Sequence, residues 1–104
     1  MQIQFNSENS IAGSEELIDS TTSLISDELS RFSQQITRVE VHISDEDGNK
    51  DGVNDKRCLV EARLAGMKPI AVTNHANTHE LAISGAVDKL KATLERVTER
   101  LKNY

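Results

Sequence analysis

The densest group of potential metal ligands is the acidic segment 45–55, DEDGNKDGVND. Its spacing matches the first half of an EF-hand calcium loop, with side-chain oxygens at Asp47, Asn49, Asp51 and Asp55. The twelfth position, where such a loop needs a bidentate carboxylate, is Cys58, and the flanking segments have the pattern of strands rather than helices. We therefore interpret 45–55 as a hairpin loop turned by its two Asp-Gly pairs, and keep a calcium site as the alternative.

The other reactive side chains do not form a catalytic set. His75 and His79 have the i, i+4 spacing of two metal ligands on a helix, but they straddle the end of a predicted strand and the start of a helix. Cys58 falls on the inward face of its predicted strand, where a thiol is usually inert packing. The sequence has no nucleophile–base pair, no glycine-rich phosphate loop and no HExxH motif. It predicts neither an enzyme nor a cofactor.

Basic side chains are aligned in one predicted helix near the end of the chain. Lys89, Arg96 and Arg100 are separated by seven and four residues, so they share one stripe of a helix, and Lys91 and Lys102 flank them in the sequence. This stripe is a candidate contact for nucleic acid. The alternative is an ordinary solvated face, because acidic residues in the same helix supply salt-bridge partners.

The hydrophobic periodicity predicts six elements that position these side chains. Apolar residues alternate with polar ones in four predicted strands, at 1–5, 36–44, 57–65 and 69–75. They recur at helical spacing in two predicted helices, at 14–32 and 78–102. The order β-α-β-β-β-α predicts an α/β two-layer sandwich, with a four-stranded, mostly antiparallel sheet, two helices on one sheet face and the other face wet.

Length and charge limit the classes of protein to consider. The chain has 104 residues, with 17 acidic and 12 basic side chains and a formal net charge of −5. We expect one domain over 1–104, since two separate cores of this size would be unstable. The acidic balance argues against an indiscriminate nucleic-acid binder. The sequence lacks an apolar run of the ~18 residues that span a membrane and lacks a secretory signal, and with its single cysteine it predicts a cytoplasmic protein.

The sequence resembles the ribosome hibernation-promoting factor family, which includes the ribosome-associated translation inhibitors, over essentially its whole length. The resemblance rests on the order of the elements and on the segments MQIQ, TRVEVHIS, EARL and AISGAVDKLKATLERVTERLKNY. It implies a stress or stationary-phase factor that binds the small ribosomal subunit in the channel for messenger and transfer RNA and inhibits translation. Neither DNA nor a membrane is an expected partner.

The resemblance also implies which residues contact the ribosome. In the family, basic side chains contact phosphates of 16S rRNA, which positions the protein without base recognition. The matching positions in the second predicted helix are Lys89, Arg96 and Arg100, with Lys91 and Lys102 nearby. Further contacts are expected from the strands, at Lys56, Arg57 and Arg63.

The first predicted helix departs from the family pattern. Short family members have lysines and arginines there, whereas this helix has Arg31 alone against five carboxylates. The loop 45–55 is also longer and more acidic than in the family. These departures leave an alternative function open: a protein-interaction module on the same fold, which binds a basic protein partner through the acidic helix and does not bind ribosomes.

Overall fold

The computed structural model describes residues 1–7, 15–45 and 56–102, with only the main chain of 101 and 102. Within these ranges the chain forms, in order, β1 Gln2–Ser7, α1 Glu15–Glu28, a 3-10 turn Ser30–Phe32, β2 Ile36–Asp45, β3 Lys56–Leu64, β4 Ile70–Ala76 and α2 His79–Lys102. The predicted element order is confirmed. The four candidate calcium ligands, Asp47, Asn49, Asp51 and Asp55, lie outside the described residues.

The four strands form one mixed sheet in the order β1-β2-β3-β4. β1 and β2 are parallel because α1 connects them as a crossover, whereas β2, β3 and β4 form an antiparallel meander. The register aligns the inward residues in a row across the sheet, Phe5, Val41, Val60 and Val72. The alternation in the sequence therefore assigns one sheet face to the core, which confirms the predicted two-layer sandwich.

The α1 helix packs on this sheet through residues spaced four apart. Leu17, Thr21 and Ile25 are buried, which is the spacing that keeps side chains on one face of a helix. The α-helix ends at Glu28, and the chain tightens into the 3-10 turn that buries Phe32. The predicted first helix is thus divided into an α-helix and a turn.

The α2 helix crosses β3 and β4 and is longer than the strands beneath it. Its N-terminus is capped by Thr78, whose hydroxyl oxygen accepts a hydrogen bond from the Leu81 N–H at 3.1 Å. The buried seam is Ile83, Val87, Leu90 and Leu94. With 24 residues, α2 is about 36 Å long, whereas the seven residues of β4 span about 23 Å. After Leu94 the described side chains are partly or fully exposed.

A tight turn joins β3 to β4 and needs a glycine. Gly66 has φ of +74°, which L side chains rarely adopt. The turn is stabilised by the Met67 N–H, which donates to the Leu64 carbonyl at 3.3 Å. This turn exposes Lys68 at the start of β4.

Candidate nucleic-acid interface

The α2 helix lies unusually close to the edge strand β4. At Gly85 an added Cβ would collide with the side chain of Asn74 on β4. The Asn74 Nδ2 donates a hydrogen bond to the Ala82 carbonyl at 3.2 Å. A glycine on the helix and an amide on the strand therefore fix one flank of α2 against the edge of the sheet.

The predicted basic stripe lies on this flank of α2. Lys89, Arg96 and Arg100 fall within about 40° of one another around the helix axis, at about 100° per residue. The Lys89 Nζ donates to the Thr73 carbonyl of β4 at 3.0 Å, which shows that the flank faces the sheet edge. The Arg96 Nη2 donates to the Thr93 hydroxyl at 3.3 Å, and Arg100 is exposed. The three cations cover about 16 Å of the helix.

Lys91 points to the other side of α2. It is two residues from Lys89, or about 200° around the helix, and its Nζ forms an ion pair with the Glu28 Oε2 of α1 at 3.0 Å. Lys102 is on the helix, but its side chain lies outside the described residues. The structure therefore separates Lys91 from the stripe that it flanks in the sequence.

The three basic residues of β3 lie apart from both the α2 stripe and Lys91. The Lys56 Nζ pairs with the Asp45 Oδ2 at 2.9 Å at the end of the β2–β3 ladder. Arg57 and Arg63 alternate with the inward residues, so they belong to the open face of the sheet, away from the helices. The Arg63 Nε lies 3.3 Å from the Glu61 Oε1. The eight basic residues predicted from the sequence thus do not form one surface.

Charges on the open sheet face neutralise one another. Glu40 lies opposite Glu61 and Arg38 lies opposite Arg63 across the β2–β3 ladder, so like charges face each other directly. Ion pairs form along β2, with 3.2 Å between the Arg38 Nη2 and the Glu40 Oε2, and diagonally across the ladder, with 3.4 Å between the Arg63 Nε and the same oxygen. Arg38 and Arg63 are therefore paired with the carboxylates of Glu40 and Glu61. This pairing leaves the open face of the sheet less available to a phosphate than the flank of α2.

Lys68 is a further basic residue that sequence analysis did not select. It is exposed in the β3–β4 turn. Because Lys89 contacts Thr73 and Ala82 contacts Asn74, α2 runs antiparallel to β4, and the later turns of α2 lie towards the start of β4. Lys68 is therefore at the same end of the molecule as Arg96 and Arg100. Its only sequence signal is that it is the one charged residue between Arg63 and His75.

The described residues contain no group of three or more His, Cys, Asp or Glu side chains that could hold a metal ion. Cys58 is buried, as the alternation predicts. Burial raises the pKa of its thiol to about 12, against the smaller opposing effect of the Arg57 charge. A neutral buried thiol is a poor nucleophile.

Comparison with known proteins agrees with this architecture. A family model described as Sigma 54 modulation protein / S30EA ribosomal protein matches residues 8–102. The chain belongs to this S30EA family. The family consists of ribosome-binding factors that are not enzymes, which confirms the prediction against catalysis.

Two solved structures share the S30EA fold with this chain. The N-terminal domain of Protein Y from Thermus thermophilus has a TM-score of 0.73 and 18% identity, and the match covers 93% of this chain and 99% of that one. A ribosomal subunit interface protein from Coxiella burnetii has a TM-score of 0.71 and 16% identity, with coverage of 95% and 99%. Comparison with curated proteins gives no match. At identities of 16–18%, these two comparisons show that the fold is shared.

Proposed function

We propose that this S30EA-family protein binds the small ribosomal subunit under stress and inhibits translation, by phosphate contacts from the α2 flank. The supporting observation is the positive charge of that flank. Within about 40° of Lys89 around the helix, the described side chains include Arg96 and Arg100 but no carboxylate. The flank therefore attracts phosphates even though the chain as a whole has a net charge of −5.

Three acidic residues of α2 border this flank without lying on it. Asp88, Glu95 and Glu99 lie about 80–120° from Lys89 around the helix. None of the three has an ion pair with the stripe among the described contacts. Because no carboxylate lies within the stripe itself, the stripe can approach 16S rRNA with its cations foremost.

The other predicted basic residues have smaller roles in this proposal. A cation that already pairs with a carboxylate must break or share that pair before it neutralises a phosphate. This applies to Lys91 with Glu28, Lys56 with Asp45, and Arg63 with Glu61. Arg57 and Lys102 are proposed as secondary contacts, and Lys68 joins the stripe at the end of α2.

The direct test is sedimentation of lysate from starved cells through sucrose gradients at two salt concentrations. Co-migration with small subunits or whole ribosomes, which would place the protein in the cytoplasm, supports the proposal. Three phosphate contacts predict that affinity falls about 20- to 40-fold between about 50 and 200 mM salt. Migration at the top of the gradient at both concentrations would refute ribosome binding. Inhibition of a cell-free translation reaction by the purified protein tests the second half of the proposal.

A further inference from the structure

A groove lies between α1 and α2. Its volume is about 260 Å³, and its lining is Leu17, Ser20, Thr21, Leu24, Glu80 and Ile83. The two helices are parallel, because Leu17 is near Ile83 at one end and Glu28 pairs with Lys91 at the other. The ion pair lies at one end of the helix–helix junction, and the groove lies nearer the two N-termini.

The size and lining of the groove suit a protein side chain. Small-molecule pockets are usually about 300–1,000 Å³, so this groove is too small for most such ligands. Leu17, Leu24 and Ile83 provide an apolar floor, and Ser20 and Glu80 form its polar edges. One aliphatic side chain from a partner would remove this apolar surface from water.

The rim of the groove is acidic on both sides. On α1, Glu16 and Asp27 are four residues before and seven residues after Ser20, so they lie on the same side of the helix. On α2, Glu80 lines the groove. The described contacts give Glu16, Asp27 and Glu80 no cationic partner.

We propose that this groove binds a lysine- and arginine-rich protein segment that inserts one aliphatic side chain between α1 and α2. The charge of the rim favours a cationic partner and repels RNA. The groove lining has no aromatic side chain on which a base could stack. This inference rests on the groove and its rim alone and does not depend on the proposed ribosome binding.

The test is a titration of the purified full chain against a fluorescent 12-residue peptide that contains several lysines and one leucine, at about 0.15 M salt. The groove variant Glu16→Gln/Glu80→Gln removes two rim charges. The matched control Glu95→Gln/Glu99→Gln makes the same change in net charge on the later turns of α2. A third variant, Ser20→Phe, fills the groove from an exposed position and leaves the buried core intact.

Each exposed ion pair changes a dissociation constant by a factor of about 1.4 to 5. The groove variant loses two such pairs, so we expect it to weaken peptide binding about 2- to 30-fold. The control should change binding less than this, because charges beyond a Debye length of about 8 Å are largely screened. Replacement of the peptide leucine by serine, and the Ser20→Phe variant, should each weaken binding at least about tenfold.

Four results would overturn the inference. The first is no saturable binding up to about 1 mM peptide. The second is an equal loss of binding in the control, which would indicate attraction by net charge alone. The third is tighter binding of a single-stranded RNA of the same length, with competition for the same groove. The fourth is a dimer that Ser20→Phe abolishes, which would make a second copy of the chain the occupant.

Discussion

Neutralising two cations at the end of α2 should release the protein from the small subunit. The variant is Arg96→Gln/Arg100→Gln, which removes two of the three stripe charges and keeps long, helix-compatible side chains. Lys89 is left unchanged because its bond to the Thr73 carbonyl also holds the sheet edge. Any loss of binding can then be assigned to the stripe rather than to the fold.

The size of the effect follows from counterion release. Each phosphate contact contributes about 0.7–0.9 to the slope of log K against log salt concentration. Two lost contacts should reduce the slope by about 1.4–1.8 and the affinity at 0.1 M salt by about 25- to 60-fold. Inhibition of translation should require a correspondingly higher protein concentration.

The assay is fluorescence anisotropy of the dye-labelled protein titrated with purified small subunits at several salt concentrations. The matched control is Arg31→Gln/Lys91→Gln, which also removes two positive charges but on other surfaces. Arg31 lies 4.9 Å from the centre of the Phe32 ring, and Lys91 pairs with Glu28. If the stripe variant keeps the wild-type slope, or if the control loses as much affinity, then the α2 flank is not the contact.

Three further predictions concern stability and reactivity. Burial raises the pKa of the Cys58 thiol from its ordinary value of 9.0 to about 12, so the neutral thiol is favoured in the folded state. This contribution to the free energy of unfolding is complete below about pH 9 and is lost at up to about 1.4 kcal/mol per pH unit as pH rises towards 12. Cys58→Ala should lack this pH dependence, and a thiol reagent should label the native wild type only at the rate at which the protein opens. In the Asn74→Ala background, Gly85→Ala should raise the free energy of unfolding, measured by chemical denaturation, by about 0.5–1 kcal/mol, because alanine favours a helix and the colliding amide is gone. In the wild-type background the same substitution should give no gain or a loss. The side chains of Glu28 and Lys91 are 37% and 35% exposed. A double-mutant cycle should therefore give a coupling energy of about 0.2–1 kcal/mol that decreases at high salt. A larger coupling energy that does not depend on salt would contradict this prediction.

The fold could be predicted from the sequence because one face of each element is apolar at a regular period. In β2, for example, Val39, Val41 and Ile43 are buried while His42 is exposed. The end of α1 could not be predicted, because Leu29 and Phe32 continue the helical period although the backbone tightens after Glu28. Periodicity reports which side chains are buried, and a 3-10 turn can bury them as well as an α-helix can.

The candidate site was only partly predictable, for a geometric reason. Spacing within one helix places Lys89, Arg96 and Arg100 on one flank, since the helical period is fixed. Spacing does not tell which neighbour that flank meets, so the contact with β4 and the separate position of Lys91 required the tertiary structure. Lys68 comes to the same end of the molecule only because β4 and α2 are antiparallel.

The length of α2 beyond the sheet has a consequence for dynamics. Leu94 is the last described residue of α2 that is fully buried, and Arg96 and Arg100 follow it. A helix end with few buried contacts opens at a lower free energy than the core, so its amides should exchange hydrogen faster than those around Leu90. Binding at Arg96 and Arg100 would suppress this opening, and part of the interaction free energy would offset the lost conformational entropy. A substitution that only strengthens the helix there, such as Thr98→Ala, should therefore raise affinity for the ribosome without adding a contact.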